Sequence, residues 1–310
     1  MIKTVNLVSN FNNGAGLAQD GNLLYDLLTS WGINCRKIQY DIPHSGITYK
    51  ADLNIFLEVM LPEFLHNAPE SWLFPNSEWW NKNGDCALPF ISKVLCKTHD
   101  CFNIWEQKTP GKCVYVGFES TDYFLNTPYE QKENNFLHLA GNSQTKNTEA
   151  VVEAWVKYNI PYNLELVIRD ISWIPKVLGC RNIIHHGRLA EPHVQIGLNA
   201  RWFHIMPSHY EGFGHVLHEA LGCGGIVLTT DAPPMNEIDG VPKELLIPPQ
   251  STWKKELATC HKVTPEAVYD AVQKAVAFSQ DKRIELSRKA RRAFLKDREE
   301  FRQRFKELFL

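Results

Sequence analysis

PSHYEGFGHVLHEALGCGGIVLTTDAPPMNE, residues 207–237, decides how this chain is read. It opens where a short apolar run, Trp202 to Met206, ends, and a run of that length followed by a turn signal reads as a buried strand of a parallel sheet. Ligands of open α/β sheets sit beyond such strand ends. Glu211 lies on the loop that leaves the strand. Gly212 and Gly214 bracket Phe213, so the backbone there can approach a ligand without side-chain obstruction. The spacing predicts a helix from Gly214 to Leu221, whose first amides and positive dipole end suit a phosphate. Glu219 projects from that helix, eight positions beyond Glu211. CGG then stops the helix, IVLTT supplies the next strand, and APPMNE turns back with Glu237 at its end.

Upstream, FLHLAGNSQTKNTEAVVEAW repeats the pattern of strand, glycine and helix. Gly141 falls just past a strand at Phe136 to Ala140, Asn142 follows it, and Lys146 stands at the mouth of a helix running from Asn147 to Lys157. A cation there is placed to neutralise a diphosphate. Further strands are expected at Glu165 to Arg169, Asn182 to His185 and Ile226 to Thr229, which puts Arg169 at a strand end and Arg188 on the loop after another. This rhythm is that of a Rossmann-like core with helices on both faces of a parallel sheet.

The first half alternates in the same way, with strands at Thr4 to Ser9, Arg36 to Tyr40, Leu53 to Glu58, Trp72 to Pro75, Val94 to Lys97 and Cys113 to Val116. Its first strand opens into NFNNGAGLAQD, where Gly14 and Gly16 let a loop come close to a ligand. Asn76 and Glu78 follow a later strand. His99, in CKTHDCF, follows another. The polar stretch TDYFLNTPYEQKENN reads as a connector, so the expected organisation is an N-terminal Rossmann-like domain over 1–130, a second over 136–280, and a C-terminal helical tail over 281–310. That tail holds 11 Lys or Arg against 6 Asp or Glu from Asp281 onward, and it reads as a solvated helix face with Phe294, Phe301, Phe305 and Leu308 packing inward.

The segment from Glu211 to Glu237 resembles the retaining glycosyltransferases of the GT-B fold, in particular the family 4 group. EGFG, the second Glu after seven intervening residues, EALGCG and the strand leading to APPMNE stand in that family's order. The resemblance implies two Rossmann-like domains facing across a cleft, the N-terminal one on the acceptor side and the C-terminal one binding the nucleotide sugar, and transfer of a sugar from a nucleoside-diphosphate sugar to an acceptor hydroxyl with retained configuration. It also implies that Glu211 bonds the transferred sugar, that the amides of Gly212, Phe213 and Gly214 hold sugar and diphosphate, and that Glu219 bonds the ribose. Gly141, Lys146, Gly14 and Gly16 join the donor site on the same grounds, and His99 takes the place from which family members present a histidine to the sugar. The family has Gly-Arg at the first strand end, whereas here Asn142 follows Gly141. Arg169 and Arg188 are the candidates to make good that cation.

Composition bounds the partners. The 310 residues carry a formal charge of -2, so no global field draws in a polyanion. No apolar run reaches the roughly 18 residues that a membrane span needs, and the opening MIKTVNLVSNFNNG reads as a strand and polar loop; a cytoplasmic setting is expected. Eight cysteines without a C-x-x-C pair suit buried thiols, and Cys96, His99 and Cys101 lack a second ligand set for zinc. No cofactor or metal is expected, since no Asp-x-Asp pair offers one a seat. A glycan or lipid-linked glycan is the favoured acceptor and a modified DNA base the less common one. A sugar-nucleotide epimerase, a phosphorylase and a non-catalytic sugar-nucleotide-binding module are the competing functions.

Overall fold

The computed structural model describes residues 2–14, 16–42 and 49–310. The chain forms two compact units: unit 1 comprises Met1–Glu119, Lys254–Ala258 and Glu299–Leu310, and unit 2 comprises Ser120–Trp253 and Thr259–Arg298.

Unit 1 is built on β1 (Thr4–Ser9), β2 (Asn34–Gln39), β3 (Leu53–Leu57), β4 (Glu70–Phe74), β5 (Lys93–Cys96) and β6 (Cys113–Tyr115), with helices α1 (Gly16–Ser30) and α2 (His99–Lys108). The strands form one sheet in the order β2-β1-β3-β4-β5-β6, each pair parallel. All five residues of β3, LNIFL, are buried, as expected of a central strand covered on both faces. Helix α2 starts where the Thr98 hydroxyl accepts the Cys101 amide at 3.0 Å. Beneath it Trp80 and Trp105 meet edge to face at 4.7 Å.

Unit 2 holds β7 (Glu133–Gly141), α3 (Thr148–Tyr158), β8 (Leu164–Ile168), α4 (Ile174–Val177), β9 (Ile183–His186), α5 (Glu191–Ala200), β10 (Arg201–Ile205), α6 (His215–Gly222), β11 (Ile226–Thr230) and β12 (Leu246–Ile247). Its sheet is also parallel, in the order β12-β11-β10-β7-β8-β9. The two-stranded hairpin β13 (Ser251–Lys255) and β14 (Ala258–Lys262) follows, then α7 (Pro265–Val276) and α8 (Gln280–Glu307). Residues 254–258 at the hairpin tip belong to unit 1. There the Leu257 amide donates to the Ser77 carbonyl at 3.1 Å, and the Lys255 ammonium lies 3.1 Å from the centre of the Trp79 ring.

The expected strands are present with their ends moved by up to three residues, the largest shift being the start of β7 at Glu133 rather than Phe136. The helical tail expected over 281–310 is α8, which follows α7 and passes from unit 2 to unit 1 between Arg298 and Glu299. Phe294, Phe301 and Phe305 are buried as anticipated, while Phe309 rather than Leu308 completes the aromatic cluster: Phe309 meets Trp72 at 5.3 Å and Phe305 meets Phe74 at 5.8 Å.

In each sheet the strand order reverses beside the unit's first strand, between β1 and β3 in unit 1 and between β7 and β10 in unit 2. Side chains just past the carboxyl ends of those strands flank a crevice, because their connections depart to opposite faces.

Candidate functional site

The unit 2 crevice is framed by the loops after β7 and β10. Strand β7 closes with a register shift between Leu139 and Gly141, whose φ of 57° is left-handed, and the Gly141 carbonyl accepts the Arg169 amide at 2.9 Å. Glycine turns the chain here without a Cβ penalty. Asn147, also left-handed at φ 50°, precedes α3, and its side-chain Nδ2 donates to the Pro207 carbonyl at 2.6 Å while its Oδ1 meets His209 Nε2 at 2.6 Å. The His209 amide donates to the Thr145 carbonyl at 2.8 Å. Two loops far apart in sequence are thereby tied into one wall. On the other side, the hydroxyls of Thr229 and Thr230 bond the carbonyls of Met206 and Ser208 at 2.8 and 2.7 Å.

Within this wall the Lys146 ammonium donates to Glu211 Oε1. The Ser208 hydroxyl donates to the same oxygen at 2.5 Å. Lys146 and Glu211 are 8% and 9% exposed, so the pair is nearly out of water, where charge-assisted bonds are strong and an unmatched partner is costly. Because both donors use Oε1, the pair holds the Glu211 carboxylate in one orientation.

Helix α6 starts beside the pair at Gly214, φ 91°, where a Cβ would lie 3.1 Å from Leu217 Cδ1. Glycine is required on both counts, left-handed backbone and space. Phe213 is buried against His218, rings stacked at 4.0 Å, and His218 Nδ1 bonds the Gly214 carbonyl at 3.0 Å. Ser120 meets His215 Nδ1 at 2.7 Å. Burial pushes the His218 imidazole down to about 4, so it is neutral near pH 7 and serves to brace the turn. Glu219 is 6% exposed on the same helix. Beneath the wall, His138 is fully buried with its pKa lowered to about 4 by desolvation. Its Nδ1 can only donate to the Ile205 carbonyl at 2.6 Å, which leaves Nε2 to accept from the Thr148 hydroxyl at 2.9 Å.

Of the sequence candidates, Gly141, Asn142, Lys146, Arg169, Gly212, Phe213, Gly214 and Glu219 join Glu211 in unit 2, with Asn142 exposed. Lys146 was assigned to diphosphate and Glu211 to sugar, and the structure pairs the two directly. Gly14, Gly16 and His99 belong to unit 1. Gly14 is left-handed at φ 62°, Gly16 is the first residue of α1, and His99 is an exposed ring stacked on Tyr115 at 4.0 Å. Asn147, Ser208, His209 and His138 were not legible as site residues, because nothing in their local sequence says that two loops meet. Among the described residues no group of three or more His, Cys, Asp or Glu is placed to hold a metal ion, and no helix is long and apolar enough to cross a membrane.

Residues 122–255, which contain the whole Lys146–Glu211 wall, match the family model of glycosyl transferases group 1. The fold is GT-B-like: the chain is similar to the sucrose-phosphate synthase of Thermosynechococcus elongatus (TM-score 0.72, 15% identity, 99% of this chain and 98% of that one). It is likewise similar to Anabaena HepE in complex with UDP and glucose (TM-score 0.68, 13% identity, 100% and 99%). Against the GtfA/B complex the TM-score is 0.62 at 17% identity, and the match covers 84% of this chain but 57% of that one. Among curated proteins no sequence match is found.

Proposed function

We propose that the protein is a retaining glycosyltransferase that moves a sugar from a nucleoside-diphosphate sugar to an acceptor hydroxyl without a metal ion. The observation that carries this reading is the buried Lys146–Glu211 pair at the unit 2 switch point, set beside the amino end of α6 within the group 1 domain. The donor's diphosphate is the natural ligand of free helix amides. As the glycosidic bond to phosphate breaks, negative charge grows on the leaving group, and Lys146 with the α6 amides is poised to stabilise it. Positive character grows on the sugar ring at the same time. Glu211, held through Oε1, offers its carboxylate to that ring and its hydroxyls, so its contribution increases towards the transition state. Glu219 takes the ribose hydroxyls. HepE, a protein of this fold, is recorded with UDP and glucose, which supports a hexose and a uridine nucleotide as first donors to try.

Incubating the protein with a panel of UDP-, GDP- and ADP-sugars, with and without mixed sugar acceptors, and following release of nucleoside diphosphate tests the proposal. Release that rises with acceptor, with a product of unchanged anomeric configuration, is expected. Donor interconversion in the absence of acceptor, or no binding of any nucleotide, overturns it.

A further inference from the structure

Helix α5 leaves part of its own sheet face uncovered. It packs on β7, β10 and α6, while β8 and β9 carry the sheet on past β7. A cavity of about 230 Å³, open on one side, occupies the gap. Leu137 and Leu139 line it from β7, and Leu189, just before α5, lines it with Val194 and Gly197 of the helix. Strand register sets Leu137, Glu165 and Ile184 in one row and Leu139, Val167 and His186 in the next, all on this face. Glu165 is therefore a carboxylate between two aliphatic side chains, in a strand whose other four residues are apolar. It is 8% exposed and, with His186 and Arg201, forms the polar part of the cavity wall. Arg201 Nη2 bonds its Oε1. His186 Nε2 stands 3.4 Å from Oε2 but makes no hydrogen bond, and no other described group donates to that oxygen.

We infer that this cavity binds a small uncharged aromatic molecule that carries one O–H or N–H donor, with its ring against the leucines and its donor on Glu165 Oε2. Size and lining suit the ring, since an apolar cavity of about 150 Å³ already holds benzene. Mostly apolar walls with one or two placed polar groups are the usual make-up of a small-molecule site. Glu165 calls for the donor, because a hydrogen bond to an ionised oxygen is strong where water is scarce. Arg201 already balances the Glu165 charge, so a cationic ligand would shed its hydration for no net attraction. An anion would meet the unshared carboxylate oxygen. A buried carboxylate–guanidinium pair adds little net stability, and apolar residues of similar volume would pack the face as well. A ligand that uses Oε2 accounts for its place beside an open cavity. Glu165 and Arg201 stand at the amino-terminal ends of β8 and β10, whereas Lys146 and Glu211 lie past the carboxyl ends of β7 and β10. The site is thus separate from the proposed donor site and does not depend on it.

Titrating phenol, indole, toluene and benzoate into the methyl-labelled full chain, and following the Leu137, Leu139 and Val194 methyl signals by NMR, tests the site. Phenol or indole should shift these signals saturably, with a Kd of about 1 mM or tighter. Toluene, which has the ring without the donor, should bind roughly fivefold more weakly, and benzoate should not saturate. Glu165→Gln removes the charge at similar size, and should bring phenol and indole down to the level of toluene while leaving toluene unchanged. A Cβ at Gly197 would stand 3.6 Å from Leu137 Cδ2, so a longer side chain there enters the cavity. Gly197→Leu should weaken every ligand at least tenfold. Gly197→Ala, whose methyl makes only ordinary contact, keeps the fold and should weaken them at least twofold. Shifts that do not saturate, toluene binding as tightly as phenol, or affinities unmoved in Gly197→Ala overturn the inference.

Discussion

Lys146 and Glu211 stand 65 positions apart in the chain and meet as a buried ion pair at the point where the unit 2 strand order reverses. Removing either partner strands the other charge in a nearly dry wall, at a cost of about 3–5 kcal/mol. Lys146→Ala and Glu211→Ala are each expected to lower Tm by several degrees, whereas the double variant should be more stable than either single one. Calorimetry of the three variants checks this, and simple additivity would show that the pair is not coupled.

Glu211 and Glu219 should fail differently. In the proposed site Glu219→Ala would remove charged hydrogen bonds to ribose worth about 1.5–3 kcal/mol, so donor KM should rise roughly tenfold to a hundredfold with kcat little changed. Glu211→Ala should lower kcat more than it raises KM. Glu211→Gln keeps the Ser208 and Lys146 bonds in part and should recover folding but not full turnover. Steady-state kinetics for each variant decide the matter, and equal losses confined to KM would contradict the assignment.

Activity should persist in EDTA. In the proposed transfer Lys146 and the α6 amides oppose the phosphate charge, which leaves a divalent ion no essential task. Complete inactivation by chelator, reversed by magnesium or manganese, would contradict it.

Much of unit 2 could be read from EGFG and the runs around it, because period and glycine placement are local properties. The ends of β10 and α6 fell within a residue of expectation for that reason. Helix α5 was missed: EPHVQIGLNA is short, with a proline in its first turn and a weak apolar stripe. The β13–β14 hairpin was missed because its turn uses Glu256 at φ 50° where a reader looks for Gly or Asn. The pairing of Lys146 with Glu211 depends on which strand ends lie side by side. Sheet order sets that, and no window of sequence contains it.

Acid should destabilise the fold well before the carboxylates titrate. His138 and His218 are held near about 4 and His204 near about 3, in each case chiefly by burial, against 6.5 for the unfolded ring. A lowered histidine pKa costs nothing above 6.5, where both states are neutral. Below 6.5 the unfolded chain gains protons that the folded one refuses, so stability falls down to about pH 4. Three such rings give a slope approaching about 4 kcal/mol per pH unit near pH 5. Denaturant unfolding from pH 7 to 4.5 measures the slope, and proton uptake well below one per molecule at pH 5 would contradict it.

The passage of α8 from one unit to the other bears on how the protein is made. Trp31, Phe74 and Phe118 close around Phe301 and Phe305, residues that leave the ribosome long after β1 to β6. A sheet begun at Thr4 therefore waits for these aromatic partners until some 300 residues have been made, and until then its apolar face is open to chaperones and to neighbouring nascent chains. Translation that stalls ahead of Glu299 would release a second unit able to gather most of its own contacts and a first unit that cannot.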